Sequence, residues 1–215
     1  MITIVMATRN AHKVAEIRQM LPGNIRLLSQ VDFPNAPSVI EDAETFAGNA
    51  TKKAEAFLYW LTTLGHQPTD LSNASFFVLA DDSGLEVDAL DGAPGVHSAR
   101  FAAADPHGTE NSPDAANNAK LIRLLADVAP EKRTARFRCV LALSSKGMPV
   151  RIFDGACEGR MAIVPSGGAG FGYDPLFVPE DCAQSFAELG ESVKNKISHR
   201  ARALAKLRLF LDELS

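Results

Sequence analysis

The chain has 215 residues, 46% of them hydrophobic, and its 22 Lys and Arg against 26 Asp and Glu give a formal charge of −4. That apolar content supplies a substantial core and excludes an extensively disordered chain. The acidic balance excludes a general binder of nucleic-acid polymers, which needs clustered surplus cations, and leaves room for one phosphorylated small molecule. No apolar run reaches the roughly 18–20 residues of a membrane span, so no membrane partner is expected. The start MITIVMATRN lacks the basic and long apolar segments of a secretory signal. Cys139, Cys157 and Cys182 are too few and too widely spaced for a disulfide framework or a zinc pattern, and they read as thiols in a reducing cytoplasm.

In chain order, Ile2 to Met6 is a short β-branched run that stops at Thr8-Arg9-Asn10, a buried strand feeding a polar turn. Val14, Ile17 and Leu21 follow at helical spacing until Pro22-Gly23 ends the helix, which together open an α/β unit. Ile25 to Val31 reads as a second strand. Thr45 to Leu64 reads as a helix capped by Thr45, with Phe46, Ala50, Ala54, Phe57 and Leu61 on one face. Gly65 to Ser75 is loop-like. Phe76 to Ala80 is a buried strand expected to end at Asp81-Asp82-Ser83-Gly84. Ala102 to Pro113 is turn-rich, and Ala115 to Leu125 is helical. Arg136 to Leu143 alternates as a strand does, with Met148 to Cys157 as its antiparallel partner across Lys146-Gly147. Gly167 to Asp174 is a glycine-rich loop. From about Ser198 a helix presents Ala201, Leu204, Leu207, Leu211 and Leu214 on one face. Parallel-type and hairpin-type signals occur together, so the expected fold class is α/β with a mixed sheet.

Several segments could carry chemistry. Thr8, Arg9, Asn10, Ala11, His12 and Lys13 lie between a strand and a helix start, where unpaired amides and the helix dipole favour an anion. A phosphate site and an ordinary N-cap with a solvated lysine both fit. Asp81 and Asp82 after a buried strand suit Mg²⁺, which prefers carboxylate oxygens shared with phosphates, but Asp-Ser-Gly is also common turn chemistry. Glu41, Asp42 and Glu44 precede a helix bearing Lys52 and Lys53; these either converge on a metal–polyphosphate complex or complement the dipole and stay solvated. Phe171-Gly172-Tyr173-Asp174 could stack an aromatic ring on a nucleobase or simply turn the chain around a core aromatic. Lys194 to Arg200 combines cations with Ser198 as a helix N-cap, and its His199 and Arg200 could donate to keto oxygens, or the segment could be a basic solvated loop.

Together the stretches ATRNAHKVAEI, TFAGNATKKA, ADDSGLEVDALDGAPGVHSARF, FGYDPLF and ISHRARAL, in this order along nearly the whole chain, resemble the inosine/xanthosine triphosphate pyrophosphatase family. The resemblance implies Mg²⁺-dependent hydrolysis of ITP, dITP and XTP to the monophosphate and pyrophosphate, by a cytoplasmic homodimer. It implies an elongated two-lobed α/β fold with a long mixed β-sheet flanked by helices, and a single domain over 1–215 with the active site between the lobes. Thr8 to Lys13 and Lys53 would hold the triphosphate. Glu41 and Asp82 would bind the metal, with Asp82 also the general base. Ser83 would contact substrate, and Phe171, Gly172, Tyr173, Asp174, Lys194, His199 and Arg200 would form the base pocket. Rival expectations are a pyrophosphatase for modified pyrimidine or methylated guanine nucleotides, as in the septum-formation-inhibitor family, and a non-catalytic nucleotide-binding module. Gly48 stands where the family usually has Glu before Asn-Ala, a loss that Asp42 or Glu44 would have to compensate; His97 and Asp91 also depart from the pattern.

Overall fold

The computed structural model describes residues 2–33, 35–63, 76–104 and 110–214. The predicted Gly65 to Ser75 loop and the middle of the Ala102 to Pro113 stretch lie outside the described residues. The elements are β1 (Ile2–Met6), α1 (Ala11–Met20), β2 (Ile25–Ser29), α2 (Phe46–Thr63), β3 (Phe76–Val87), α3 (Asp114–Leu125), β4 (Thr134–Ser145), β5 (Met148–Met161), β6 (Phe177–Pro179), α4 (Phe186–Leu189), α5 (Glu191–Ile197) and α6 (His199–Glu213). The strands form one six-stranded sheet in the order β2-β1-β3-β4-β5-β6. β1 is parallel to β2 and β3, and β6 is antiparallel to β5, so the sheet is mixed and the expected α/β class holds. A two-residue turn at Lys146-Gly147, with Gly147 at φ 80°, permits only an antiparallel β4–β5 hairpin.

The chain divides into two compact units. The first comprises Met1–Asp82, Val140–Asp154 and Ala203–Ser215. Here the connection β1–α1–β2 runs outward from β1, and β2–α2–β3 runs back past it. Right-handed crossovers in opposite directions put α1 and α2 on opposite faces of the sheet. Phe46, Ala50, Ala54, Phe57 and Leu61 of α2 are all buried, as their spacing predicts. Each large apolar side chain so buried contributes about 1.5–3 kcal/mol before the chain-ordering cost. Phe57 stacks on Trp60 at 5.5 Å and meets Phe33 edge-on at 5.7 Å. The second unit, Ser83–Cys139 and Gly155–Arg202, has its own core. Leu85, Val87, Leu121, Leu125, Phe137, Met161, Leu176, Phe177 and Phe186 are buried together there.

Four expectations need correction. β2 stops at Ser29, not Val31, because the Asp32 carboxylate accepts from the Ser29 amide at 2.7 Å and curls Gln30–Asp32 into a 3-10 turn. β3 does not end at Asp81; it continues to Val87, since lysines neutralise both aspartates inside the strand. Lys194 lies on the short helix α5 and is buried, so the basic solvated loop does not form. On α6 the buried stripe is Ala203, Leu204, Leu207 and Leu211, while Leu214 is exposed. β6, α4 and α5 are elements beyond those expected, and α4 opens on a capping box between Ser185 and Glu188.

Candidate active site

The predicted site residues fall into two sets, one in each unit. In the first unit, β1 and β3 are neighbours from which the chain leaves in opposite directions, a topological switch point whose strand ends are the usual binding place in α/β sheets. The β1–β3 register ends at Met6↔Leu79, so Thr8, Asp81 and Asp82 come just past it. Asn10 caps α1 by accepting from the Lys13 amide at 3.1 Å, and the Thr8 hydroxyl accepts from the Asn10 amide at 3.1 Å. Ala11 and His12 are exposed on the first turn. Lys13 is not a solvated lysine: its ammonium donates to Asp81 Oδ1 at 2.6 Å. Arg9 is turned away to donate to Ala36 O at 2.6 Å and Ser38 Oγ at 2.9 Å.

Successive strand residues face opposite sides, and the two aspartates are taken by lysines from the two helices. Lys53 of α2 donates to Asp82 Oδ1 at 3.0 Å, to Glu41 Oε2 at 2.7 Å and to the Asp81 carbonyl at 2.9 Å. The Asp81 side chain is fully buried, whereas 36% of Glu41 is exposed, so Glu41 forms the open rim of the cluster. Asp82 Oδ2 is buried, and no lysine or backbone amide among the described residues donates to it. Burial pushes the Asp82 carboxyl up to about 6, against the pull of Lys53 and Lys13. Burial also works against ionisation of Glu41, but Lys53 and the hydrogen bond with Asp82 outweigh it and hold that carboxyl below the usual range. Lys53 is desolvated, yet Asp82 and Glu41 together raise its pKa. Two adjacent carboxyls driven apart in this way divide their roles: one is an anion throughout, and the other can carry a proton.

Glu41 lies in a segment without regular structure that is tied at several points. Arg9 holds Ala36 and Ser38, Gln30 donates to Pro37 O at 2.9 Å, and the fully buried Asn49 clamps Ala43 through its N–H (2.9 Å) and carbonyl (3.3 Å). Asn49 and Asp81 were not singled out from sequence for these roles. A polar residue on the apolar face of α2 was the signal for Asn49. Gly48 has a steric reason: a Cβ there would lie 2.8 Å from Ala43 Cβ. Neither proposed substitute for the missing Glu joins the cluster, since Asp42 pairs with Lys52 at the surface and Glu44 is exposed.

In the second unit, Lys194 and Asp174 form a buried ion pair at 2.5 Å, with side-chain exposures of 3% and 2%. Asp174 Oδ2 also accepts from the Phe171 amide at 2.9 Å, which pins the glycine-rich loop. Gly170 permits this, because a Cβ would fall 2.1 Å from Asp174 Oδ2. Tyr173 is a core aromatic whose hydroxyl donates to Ser98 O at 2.8 Å, and burial holds its pKa well above the usual value. Phe171 is the half-buried ring of the pair, with Lys194 Nζ 4.6 Å and the Arg200 guanidinium 6.0 Å from its centroid. Arg200 Nη2 donates to Ser83 Oγ at 3.1 Å, and His199 stacks on Phe137 at 4.8 Å. Ser198 caps α6 by accepting from the Ala201 amide at 3.2 Å. Both His199 and Arg200 are buried at this helix start.

The Ham1 family model matches residues 4–210. The chain belongs to the Ham1 family. Among curated relatives, a dITP/XTP pyrophosphatase of Rhodopirellula baltica is 47% identical over 216 residues, covering 100% of this chain and 93% of that protein. One from Geobacillus kaustophilus is 46% identical, covering 95% and 91%. Among solved structures, the Staphylococcus aureus Ham1 protein matches with a TM-score of 0.79 at 34% identity, covering 99% of this chain and 100% of that one. A Ham1 protein from Coxiella burnetii matches equally in TM-score at 36% identity. No described helix of this Ham1-family chain is long and apolar enough to cross a membrane.

The donor set of the cluster bears on whether it can hold a cation. The Asp82 carboxylate, one oxygen of which receives no donor among the described residues, and the Glu41 carboxylate that interacts with it are hard oxygen donors of the kind Mg²⁺ selects. Among the described residues no group of three or more His, Cys, Asp or Glu is placed to hold a metal. Two carboxylates suit an ion that keeps waters and substrate phosphates in its remaining positions. The residues fit Mg²⁺ on these terms.

Proposed function

We propose that this protein is a nucleoside triphosphate pyrophosphatase that hydrolyses dITP, XTP and ITP to the monophosphate and pyrophosphate. The carrying observation is the Lys13–Asp81, Lys53–Asp82–Glu41 cluster at the switch point, which supplies two cations for a polyphosphate and one buried carboxylate oxygen to which no described lysine or amide donates. The names of the curated relatives point to the same reaction. Cleaving the bond between the α- and β-phosphates requires an oriented water, a base for its proton and neutralisation of the phosphate charge. Lys13 and Lys53 bind and orient the phosphates. The Asp82 carboxylate is the base that takes the proton of the attacking water. Glu41 and Asp82 hold Mg²⁺, which when bound supplies further charge neutralisation.

The second set reads the base. Phe171 offers a stacking surface, and the donors His199 and Arg200 favour the 6-keto oxygen of hypoxanthine and xanthine over the 6-amino group of adenine. Such a mismatch is worth a few kcal/mol. In this reading Ser83 orients Arg200 through the hydrogen bond they share. Chromatography of products from ITP with MgCl₂ tests the reaction: inosine monophosphate and pyrophosphate are expected, and orthophosphate with IDP would overturn it. Rates across a panel of triphosphates test the substrate, and a preference for pyrimidines would turn the reading to the septum-formation-inhibitor type. Under the same reading the protein works as a homodimer in the cytoplasm, which sedimentation and cell fractionation test.

A further inference from the structure

Helix α3 takes no part in the chemistry above, yet two of its side chains reach the loop that carries Phe171. Asp114 and Asn118 are four residues apart and therefore share a helix face. The Asp114 carboxylate accepts from the Gly172 amide at 2.6 Å, and Asn118 Nδ2 donates to the Gly172 carbonyl at 3.0 Å. Both poles of one residue are thus held from outside the loop. Gly172 itself sits at φ 63°, in the left-handed region, with open space where a Cβ would be. The two α3 side chains bond both of its backbone groups from outside the loop. On the other side of Phe171, the loop is pinned internally by Asp174, whose own amide donates to the Phe171 carbonyl at 3.3 Å. Phe171 lies between an internal clamp and an external one.

The polarity of the external clamp is specific. Asp114 need only accept, so an amide oxygen can replace its carboxylate. Asn118 must donate, because a carbonyl accepts only. Asn118 Nδ2 makes the amide's contact with the loop, and its Oδ1 is buried with no hydrogen-bond partner among the described residues. A carboxylate at 118 would put an acceptor against an acceptor.

We propose that Asp114 and Asn118 are positioning residues that set the Phe171 ring for the nucleobase. This inference rests on the proposed reading of the second set as a base pocket. Calorimetric titration of the full chain with two probes tests it: inosine monophosphate, which needs the base pocket, and inorganic tripolyphosphate, which needs only the lysine cluster. Asn118→Asp should weaken inosine monophosphate by about tenfold, the scale of an unsatisfied polar contact, and leave tripolyphosphate unchanged. Asp114→Asn should bind both probes as wild type does, whereas Asp114→Ala should lose affinity for inosine monophosphate alone. The same split should appear as a raised KM for ITP at preserved kcat. Equal binding of inosine monophosphate by wild type, Asn118→Asp and Asp114→Ala would overturn the inference and leave the pocket reading intact. Equal losses for both probes would also overturn it, since that marks general damage. Wild type that binds tripolyphosphate but not inosine monophosphate would overturn the pocket reading and the inference with it.

Discussion

Buried charge is handled in two different ways in the two units. At Asp174–Lys194, one cation meets one carboxylate, and the Phe171 amide adds a further donor to the same oxygen. Around β3, two lysines meet three carboxylates, and one buried carboxylate oxygen receives no hydrogen bond from a described lysine or amide. The first arrangement is closed and holds a loop in shape. The second is one cation short, which costs stability in the free protein and creates a demand that a substrate–cation complex can meet. Chemical work is expected where the charges do not balance.

The largest effect should come from opening the closed pair. Lys194→Met leaves the Asp174 carboxylate buried and uncompensated, a loss of about 3–5 kcal/mol by urea unfolding. The double variant Lys194→Met/Asp174→Leu should recover much of it. If the single variant unfolds at the wild-type midpoint, the pair is not the structural element described. In the open cluster the ranking should invert. Asp82→Asn keeps the shape and removes the base, so ITP turnover should fall by about 10²-fold or more while binding persists. Unchanged turnover would remove Asp82 from the chemistry.

The same variant sharpens the stability half of the contrast. Asp82 has a carboxyl raised to about 6 in the folded chain, against about 3.9 when unfolded. Between those values the native state binds more protons than the unfolded one, so the contribution of this group to stability falls as pH rises and is fully lost above the folded value. Asn at this position does not ionise. In metal-free buffer, the melting temperature of Asp82→Asn relative to wild type should therefore rise between about pH 4 and about pH 7. A pH-independent difference would mean that Asp82 bears no burial cost.

How much of this is visible in the residues depends on the range of the interactions. The face of α2, the Thr45 cap and the β4–β5 hairpin follow from local periodicity and turn chemistry, and all three form. The motifs also point to Lys13, Lys53, Asp82 and Glu41, which meet within one unit. What local pattern misses is neutralisation at a distance. Asp81-Asp82 reads as the end of a strand because two adjacent carboxylates are too costly inside one, unless lysines 68 and 29 residues away in sequence are there to pair them. Lys194 reads as solvated for the same reason, its partner being 20 residues distant. The Gly172 clamp escapes notice because hydrogen bonds to backbone carry no side-chain signature in the loop.

The smallest effect separates two neighbours that look alike in sequence. Lys52 and Lys53 are consecutive on α2 and each pairs with an acidic residue of the preceding segment, Lys52 with Asp42 and Lys53 with Glu41. Neighbouring helix positions point about 100° apart, and the difference is decisive here. Lys52 and Asp42 are both well exposed, so water and salt screen the pair, and losing it should leave little trace. Lys53 is 11% exposed and spends its donors on Glu41, Asp82 and the Asp81 carbonyl. Lys52→Met should therefore leave ITP turnover and the urea midpoint where they are, while Lys53→Met should depress turnover and deprive two carboxylates of their common partner. Parallel assays of the two variants check this. If Lys52→Met lost as much activity as Lys53→Met, the chemistry would depend on the general positive charge of α2, and the balance of individual buried groups would not be what locates it.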